Sequence, residues 1–360
     1  MKLTYSLILA AASCGMAFGA ATAYTTPVGY VTIDVPANSD TTIAPPVEQA
    51  PLYSAASTGI AGNVVSASRL TSGAFVSPEC YLQVTSGALI GQRFHISAND
   101  TTTITVDSTT ELQTLGFASL DTIKVIPYWT LSTLFPTGAG VGVSPDPSDP
   151  SSFVMASSLD YGANKPYKLY LYCDGSLAPD WVAGWYDNDD IYSGPTANNV
   201  RIDSSRMYAV RTIKVSAQQL VVTGQVPDVA PVVKVTVDTV TNDNYIASPY
   251  PVDVSLQASG LQSAIQAVDD PTAPIEFVYL YDENQILRNK PASKGYLYVT
   301  GNSPDWPAGW YDNDDVYSGP VAASDVIVLK AGHGLVIRKA PYISAGSIPW
   351  TPDLPYTITK

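Results

Sequence analysis

Two stretches of this chain bring aromatic rings and carboxylates together at fixed spacing. Residues 179–195 read Pro-Asp-Trp-Val-Ala-Gly-Trp-Tyr-Asp-Asn-Asp-Asp-Ile-Tyr-Ser-Gly-Pro, and residues 304–320 repeat them with two changes, Val182 to Pro307 and Ile191 to Val316. Four of the six Trp lie in these two copies. The first sets Trp181, Trp185, Tyr186 and Tyr192 beside Asp180, Asp187, Asp189 and Asp190; the second sets Trp306, Trp310, Tyr311 and Tyr317 beside Asp305, Asp312, Asp314 and Asp315. Exposed rings stack on the C–H faces of sugars, and neighbouring carboxylates accept hydrogen bonds from hydroxyls. Trp181, Trp185, Tyr186, Trp306, Trp310 and Tyr311 are therefore the candidate ligand-binding set. Carboxylate oxygens are also hard ligands for Ca²⁺, the one cofactor these residues suggest. Asp187, Asp189, Asp190, Asp312, Asp314 and Asp315 form that candidate metal set. EF-hand spacing fails, because Ile191 falls where an oxygen ligand is needed and no bidentate Glu follows. The competing reading is structural: a strand-connecting turn with its Trp residues packed into a core.

Little else resembles catalytic machinery. His95 and His333 are the only histidines, and their strand-like surroundings suit structural roles. No nucleophile elbow, zinc-binding His-Glu-x-x-His or phosphate-cradling Gly-x-x-x-x-Gly-Lys occurs. A glycosidase needs only two carboxylates about 5–10 Å apart, which a chain with this many Asp does not exclude, but no motif supports it. The residues predict a protein that is not an enzyme.

The elements that must hold these loops read as strands. Charged residues make up only 14% of the chain, and the formal net charge is −14. Phosphate binding needs Lys and Arg, so nucleic acid is not an expected partner. Glu48, Glu79, Glu111, Glu276 and Glu283 are the only Glu among 32 acidic residues. Asp favours turns where Glu favours helices, and 23 Tyr add pleated-sheet character. β-like runs bounded by turn residues span 29–35, 79–84, 101–106, 122–126, 167–172, 232–237 and 275–281. Helical signals are confined to 261–268 and 131–135, and 138–152 reads as a long exposed loop.

The start of the chain carries an export signal. Lys2 precedes the apolar run Leu7-Ile8-Leu9-Ala10-Ala11-Ala12, and Ala21-Thr22-Ala23 offers a small-residue cleavage site. Cleavage after Ala23 leaves Tyr24 as the mature start. The alternative is a lipoprotein acylated at Cys14, although the residues after it stay apolar. No later stretch has the length and apolarity of a transmembrane helix. Cys80 and Cys173 either pair or serve as buried apolar residues, and their spacing is not metal-like.

The 125-residue offset between the two loops suits a duplicated domain. Upstream, 168–172 parallels 295–299; downstream, 207–211 parallels 334–338, and a fainter echo lies at 29–33.

Further segments carry a family resemblance. They are Pro27-Val28-Gly29-Tyr30-Val31, the stretch from Thr85 to Ile96 (Thr-Ser-Gly-Ala-Leu-Ile-Gly-Gln-Arg-Phe-His-Ile), Asp121 to Leu131 with its Pro127-Tyr128-Trp129, and Ala331-Gly332-His333-Gly334 on to Ala340. Together they resemble a family of exported proteins of unknown function found mainly in Verrucomicrobia and Planctomycetes. The resemblance implies export and no particular chemistry, and the duplicated Trp-Tyr-Asp segment lies outside it.

The expected architecture is all-β, with two or three sandwich or barrel-like domains and few short helices. A signal peptide (1–23) precedes an N-terminal β-domain (24–120) and two repeats (121–230 and 231–360). The expected function is a non-catalytic structural or adhesive protein of the cell envelope or exterior, self-associating or binding surface glycans. The alternative is a glycan-binding module, with or without a dependence on Ca²⁺.

Overall fold

The computed structural model describes residues 27–157 and 166–358. The signal peptide, the cleavage site at Ala23 and the acylation candidate Cys14 lie outside the described residues. The chain is all-β, in line with its composition. Strand β1 (Val28–Val35) shows why: Val31, Ile33 and Val35 turn inward while Tyr30, Thr32 and Asp34 face solvent, the period of two that a half-buried strand requires. β2 (Asp40–Ile43) follows.

Seven strands come next: β3 (Tyr53–Ala56), β4 (Gly59–Ala61), β5 (Val64–Ser66), β6 (Cys80–Val84), β7 (Arg93–Asn99), β8 (Thr103–Val106) and β9 (Thr122–Pro127). They form one sheet, in the order β3-β9-β6-β7-β8-β5-β4, over a core that includes Leu82, Ile104, Phe117 and Val125. A single helical turn, α1 (Leu112–Leu115), buries Leu112 beneath it. After these come β10 (Trp129–Thr130), the one-turn helix α2 (Leu131–Leu134), β11 (Ser152–Ser157), β12 (Pro166–Cys173), β13 (Gly184–Asp187), β14 (Arg201–Ile202), β15 (Tyr208–Thr212) and β16 (Gln218–Gln225).

Pairing contradicts the linear division expected from sequence. β1 pairs along its whole length with β16, and β2 pairs with β15. Residues 28–43 thus belong with the first repeat: β2 closes the sheet β13-β12-β11-β15-β2, β1 forms a two-stranded sheet with β16, and both face one core that holds Ile33, Ile43, Phe135, Trp185 and Val210. The expected boundary near residue 120 cuts through the seven-stranded sheet, because β9 pairs with both β3 and β6. The seven-stranded unit is an insertion between β2 and β10.

The second unit comprises β17 (Val233–Val237), β18 (Asn242–Ala247), β19 (Val254–Ser255), β20 (Phe277–Leu280), β21 (Lys294–Val299), β22 (Gly309–Asp312), β23 (Ile327–Leu329), β24 (Gly334–Lys339) and β25 (Gly346–Trp350). Its sheet, β22-β21-β20-β24-β18, matches the first unit strand for strand, and β17–β25 and β19–β23 match β1–β16 and β10–β14. The duplication therefore covers nine strands. Only residues 248–253 separate β18 from β19, where the first copy holds the insertion. β1 corresponds to β17, so the echo at 29–33 marks no third copy of the loop-bearing strands.

Three local expectations need correction. The helix expected over 261–268 is one turn of 3-10 helix at Leu261–Ser263, entered through left-handed Gly260. Beyond it the backbone straightens, so that Val268 bridges to Val299. The loop 138–152 is pinned rather than exposed, with Val141 and Ser144 fully buried and Ser144 bridging to Cys173. The upstream repeat alignment slips by one residue: Tyr170 lies opposite Asp187 and Tyr296 opposite Asp312, making Lys168 the counterpart of Lys294.

The inserted unit is tied down. Arg93 of β7 donates to Glu48 (2.5 Å) and to Ser204 (2.8 Å), and Lys124 of β9 pairs with Asp228 (2.5 Å). Gly91 has φ +85°, and a Cβ there would lie 2.2 Å from the Ala230 carbonyl oxygen, so only glycine fits the seam.

Candidate functional site

β13 and β22 are short edge strands, and each lies within the duplicated segment. Gly184 and Gly309 open them at φ +147° and +150°, with Pro195 and Pro320 packed where a side chain would go. Trp185 turns into the first core against Phe135 (ring centroids 5.9 Å) and, edge-on, Tyr172 (5.6 Å). Trp310 does the same against Tyr298 (5.3 Å). Tyr186 and Tyr311 point to the opposite face into small satellite clusters, and their hydroxyls donate to the carbonyls of Val182 (2.8 Å) and Pro307 (2.9 Å). Four of the six candidate ligand-binding residues are therefore core residues, since a strand of period two surrounded by apolar neighbours buries both faces. Trp181 and Trp306 remain half-buried, with edges against Tyr186 and Tyr311.

The carboxylates do not converge on a point. The Lys168 ammonium, on the neighbouring strand β12, donates to Asp187 and Asp189, both at 2.9 Å. Lys294 repeats this on Asp312 (2.7 Å), with Asp314 at 4.0 Å. These hydrogen bonds raise both lysines above their ordinary range, Lys168 chiefly through Asp189 and Lys294 chiefly through Asp312. Asp190 and Asp315 instead accept the hydroxyls of Ser193 and Ser318 (2.7 Å each), and Asp187 and Asp312 also hold the backbone N–H two residues on. Among the described residues, no group of three or more His, Cys, Asp or Glu could hold a metal ion. The metal set is thus spent on a lysine and on turn closure. The sequence signal for Lys168 and Lys294 was hidden by the one-residue slip.

What the loops leave outside is one ring pair per copy. Tyr192 is 84% exposed and leans on Trp181 (5.9 Å); Tyr317 is 80% exposed and leans on Trp306 (5.8 Å).

A second feature escaped sequence reasoning. Arg211 of β15 grips Asp40 of β2 with two nitrogens (2.7 and 2.6 Å), and Arg338 of β24 grips Asp243 of β18 in the same way (2.7 and 2.9 Å). The two arginines end the aligned segments 207–211 and 334–338, the only trace of this in the sequence. The forks lie where the units meet. Ala44 N–H donates to the Gly332 carbonyl (2.8 Å) and its counterpart Ala247 N–H to Ser205 (3.1 Å), a reciprocal exchange like that across a two-fold axis. A cavity of about 730 Å³ opens between the units and is lined by both forks.

Beside it, Glu283, Thr42, His333 and Lys290 form a buried polar cluster. The Thr42 hydroxyl donates to Glu283 (2.5 Å), and Lys290 lies 3.5 Å from Glu283. His333 Nδ1 lies 2.9 Å from the Thr42 carbonyl oxygen, so that nitrogen is the donor and cannot take a proton from the Thr42 hydroxyl. The cluster holds the units together and does not form a nucleophile–base pair. Burial, the largest influence, holds His333 below the ordinary histidine range against the opposing pull of Glu283. His95 contacts Arg201 (3.3 Å) on the inserted unit's surface.

Fold and site together define an all-β chain with a duplicated nine-strand unit, interrupted once by a seven-stranded insertion. No protein-family model, curated protein or solved structure matches it.

Proposed function

We propose that this is an exported, non-catalytic structural or adhesive protein of the cell envelope or exterior, which makes its contacts through the duplicated loops. The observation that carries this reading is the repeated exposed ring pair, Trp181–Tyr192 and Trp306–Tyr317. A tyrosine at least four-fifths exposed, propped on a half-buried tryptophan that in turn rests against a buried tyrosine, offers apolar area already held in place. Tyr and Trp are the residues that dominate contact energy at interfaces. Two copies on one chain supply two such contacts, so that even a weak partner is held by avidity. Export rests on the N-terminal sequence. Among the described residues, no helix is long and apolar enough to cross a membrane.

The test is the double variant Tyr192→Ser with Tyr317→Ser, which removes the exposed rings and leaves the core intact. Sedimentation and cell- or surface-adhesion assays should show loss of self-association or adhesion with an unchanged melting temperature. Full retention of both would refute the reading.

A further inference from the structure

The cavity between the units is walled by the two faces that the five-stranded sheets turn away from their own cores. On β2 and β15, Thr42 and Ala209 lie on the same face as Asp40 and Arg211; on β18 and β24, Tyr245 and Val336 lie with Asp243 and Arg338. The copies have kept the forks and diverged between them. Register makes Thr42 the counterpart of Tyr245, Ala209 of Val336, and Met155 of Tyr279. At these positions one wall is therefore faced by Thr42, Ala209 and Met155, and the other by the tyrosines Tyr245 and Tyr279, with Tyr281 beside them. Such divergence contrasts with the near-identical Trp-Tyr-Asp loops, and it opens a slot beside an aromatic platform. The Tyr279 ring is fixed there, stacked on Phe277 (5.3 Å, 18°) with the Arg338 guanidinium 5.0 Å over it.

We propose that this slot is a binding site for a neutral oligosaccharide. Each cation on its lining is matched by an anion: Arg211 by Asp40, Arg338 by Asp243, and Lys290 by Glu283. The site therefore has no free charge to attract an ionic ligand, and the chain's net charge of −14 repels polyanions. What the forks present is donors in fixed positions: the Arg211 and Arg338 guanidinium groups stay part-exposed, held by Asp40 and by the almost fully buried Asp243. A sugar hydroxyl accepts from such a donor, and vicinal hydroxyls suit the several N–H groups of one guanidinium. The tyrosine wall supplies the flat apolar surface on which pyranose C–H groups stack. A volume of about 730 Å³ lies within the range of ligand sites and holds several sugar rings. The site is separate from the loops and does not depend on their contact role.

The experiment is isothermal titration of the full mature chain with cellohexaose, xylohexaose, mannohexaose and chitohexaose, with hexagalacturonate as the charged control. At least one neutral hexasaccharide should bind saturably and hexagalacturonate should not. Affinity should fall at least tenfold in Tyr245→Ala and in Ala209→Trp, the second of which fills the slot without removing a contact. It should be unchanged in the Tyr192→Ser, Tyr317→Ser double variant. The proposal is overturned if no neutral hexasaccharide binds. It is equally overturned if binding survives Ala209→Trp, or if the loop variant alone abolishes it.

Discussion

The Lys168 ammonium lies 2.9 Å from the Asp187 carboxylate, at the place where a bound cation would have been expected. Lys294 and Asp312 repeat the contact at 2.7 Å. A lysine and a divalent cation compete for the same oxygens, and here the lysine comes from the same sheet. Millimolar Ca²⁺ should therefore leave the melting temperature where a chelator leaves it, as measured by calorimetry. A ligand at a hundredfold excess over its dissociation constant would add about 2.7 kcal/mol, so a clear upward shift would show that the aspartates do bind metal.

The two tryptophans of each loop should behave in opposite ways. Trp185 and Trp310 are packed in the two cores, and truncating such a side chain to alanine costs about 3–5 kcal/mol. Trp185→Ala and Trp310→Ala should each lower the denaturation midpoint severely, so neither can serve as a probe of surface contacts. Tyr192→Ser and Tyr317→Ser should stay within about 0.5 kcal/mol of the parent by urea titration.

These differences follow from what a sequence can carry. The strands at 80–84, 103–106 and 122–127 were legible because alternation and turn residues are local signals. The pairing of Val28–Val35 with Gln218–Gln225 was not, because no local pattern says which distant strand completes a sheet. The insertion was invisible for the same reason. Within the loops, sequence gave residue types and spacing but not facing: Trp185 and Trp181 look alike until β13 sets one inward. Asp40 and Asp243 escaped because each stands alone in its strand, far from the arginine that holds it.

The Lys339–Glu276 pair is fully buried, and Lys339 also donates to the Ala264 carbonyl (2.8 Å). Burial, the largest influence, pushes the lysine below its ordinary range, so its charge depends on Glu276. In the first unit the equivalent position is Thr212, which bonds backbone groups of Pro36 and Ser39. Removing one partner of such a pair leaves an uncompensated charge and costs about 3–5 kcal/mol. Lys339→Met should destabilise on that scale in chemical denaturation. Combining it with Glu276→Gln should recover part of the loss, and strict additivity of the two would contradict this account.

Cys80 and Cys173 are free and buried in different units, and burial pushes the Cys80 thiol up to about 11. Thiolates are the reactive form, so both should resist an aromatic disulfide reagent at pH 8 until the protein unfolds. In the protein beginning at Tyr24, reductant should not change the melting temperature. A drop on reduction would reveal a disulfide.

His333 sets the last expectation, because its neutral ring is buried where the two units join. The ring donates to the Thr42 carbonyl beside Glu283, and burial outweighs that carboxylate in setting its proton affinity. The folded pKa is lowered, so near neutral pH neither the folded nor the unfolded chain carries the proton and the contribution is fully present. As pH falls below about 6.5 the unfolded chain takes up a proton that the folded chain refuses, and stability is lost until the folded pKa is passed. One such group gives a slope of at most about 1.4 kcal/mol per pH unit. Urea midpoints measured from pH 7.5 to 5 should decline on this limb. His333→Gln, which keeps a donor for the Thr42 carbonyl, should flatten it, and an unchanged slope in that variant would assign the acid sensitivity to other groups.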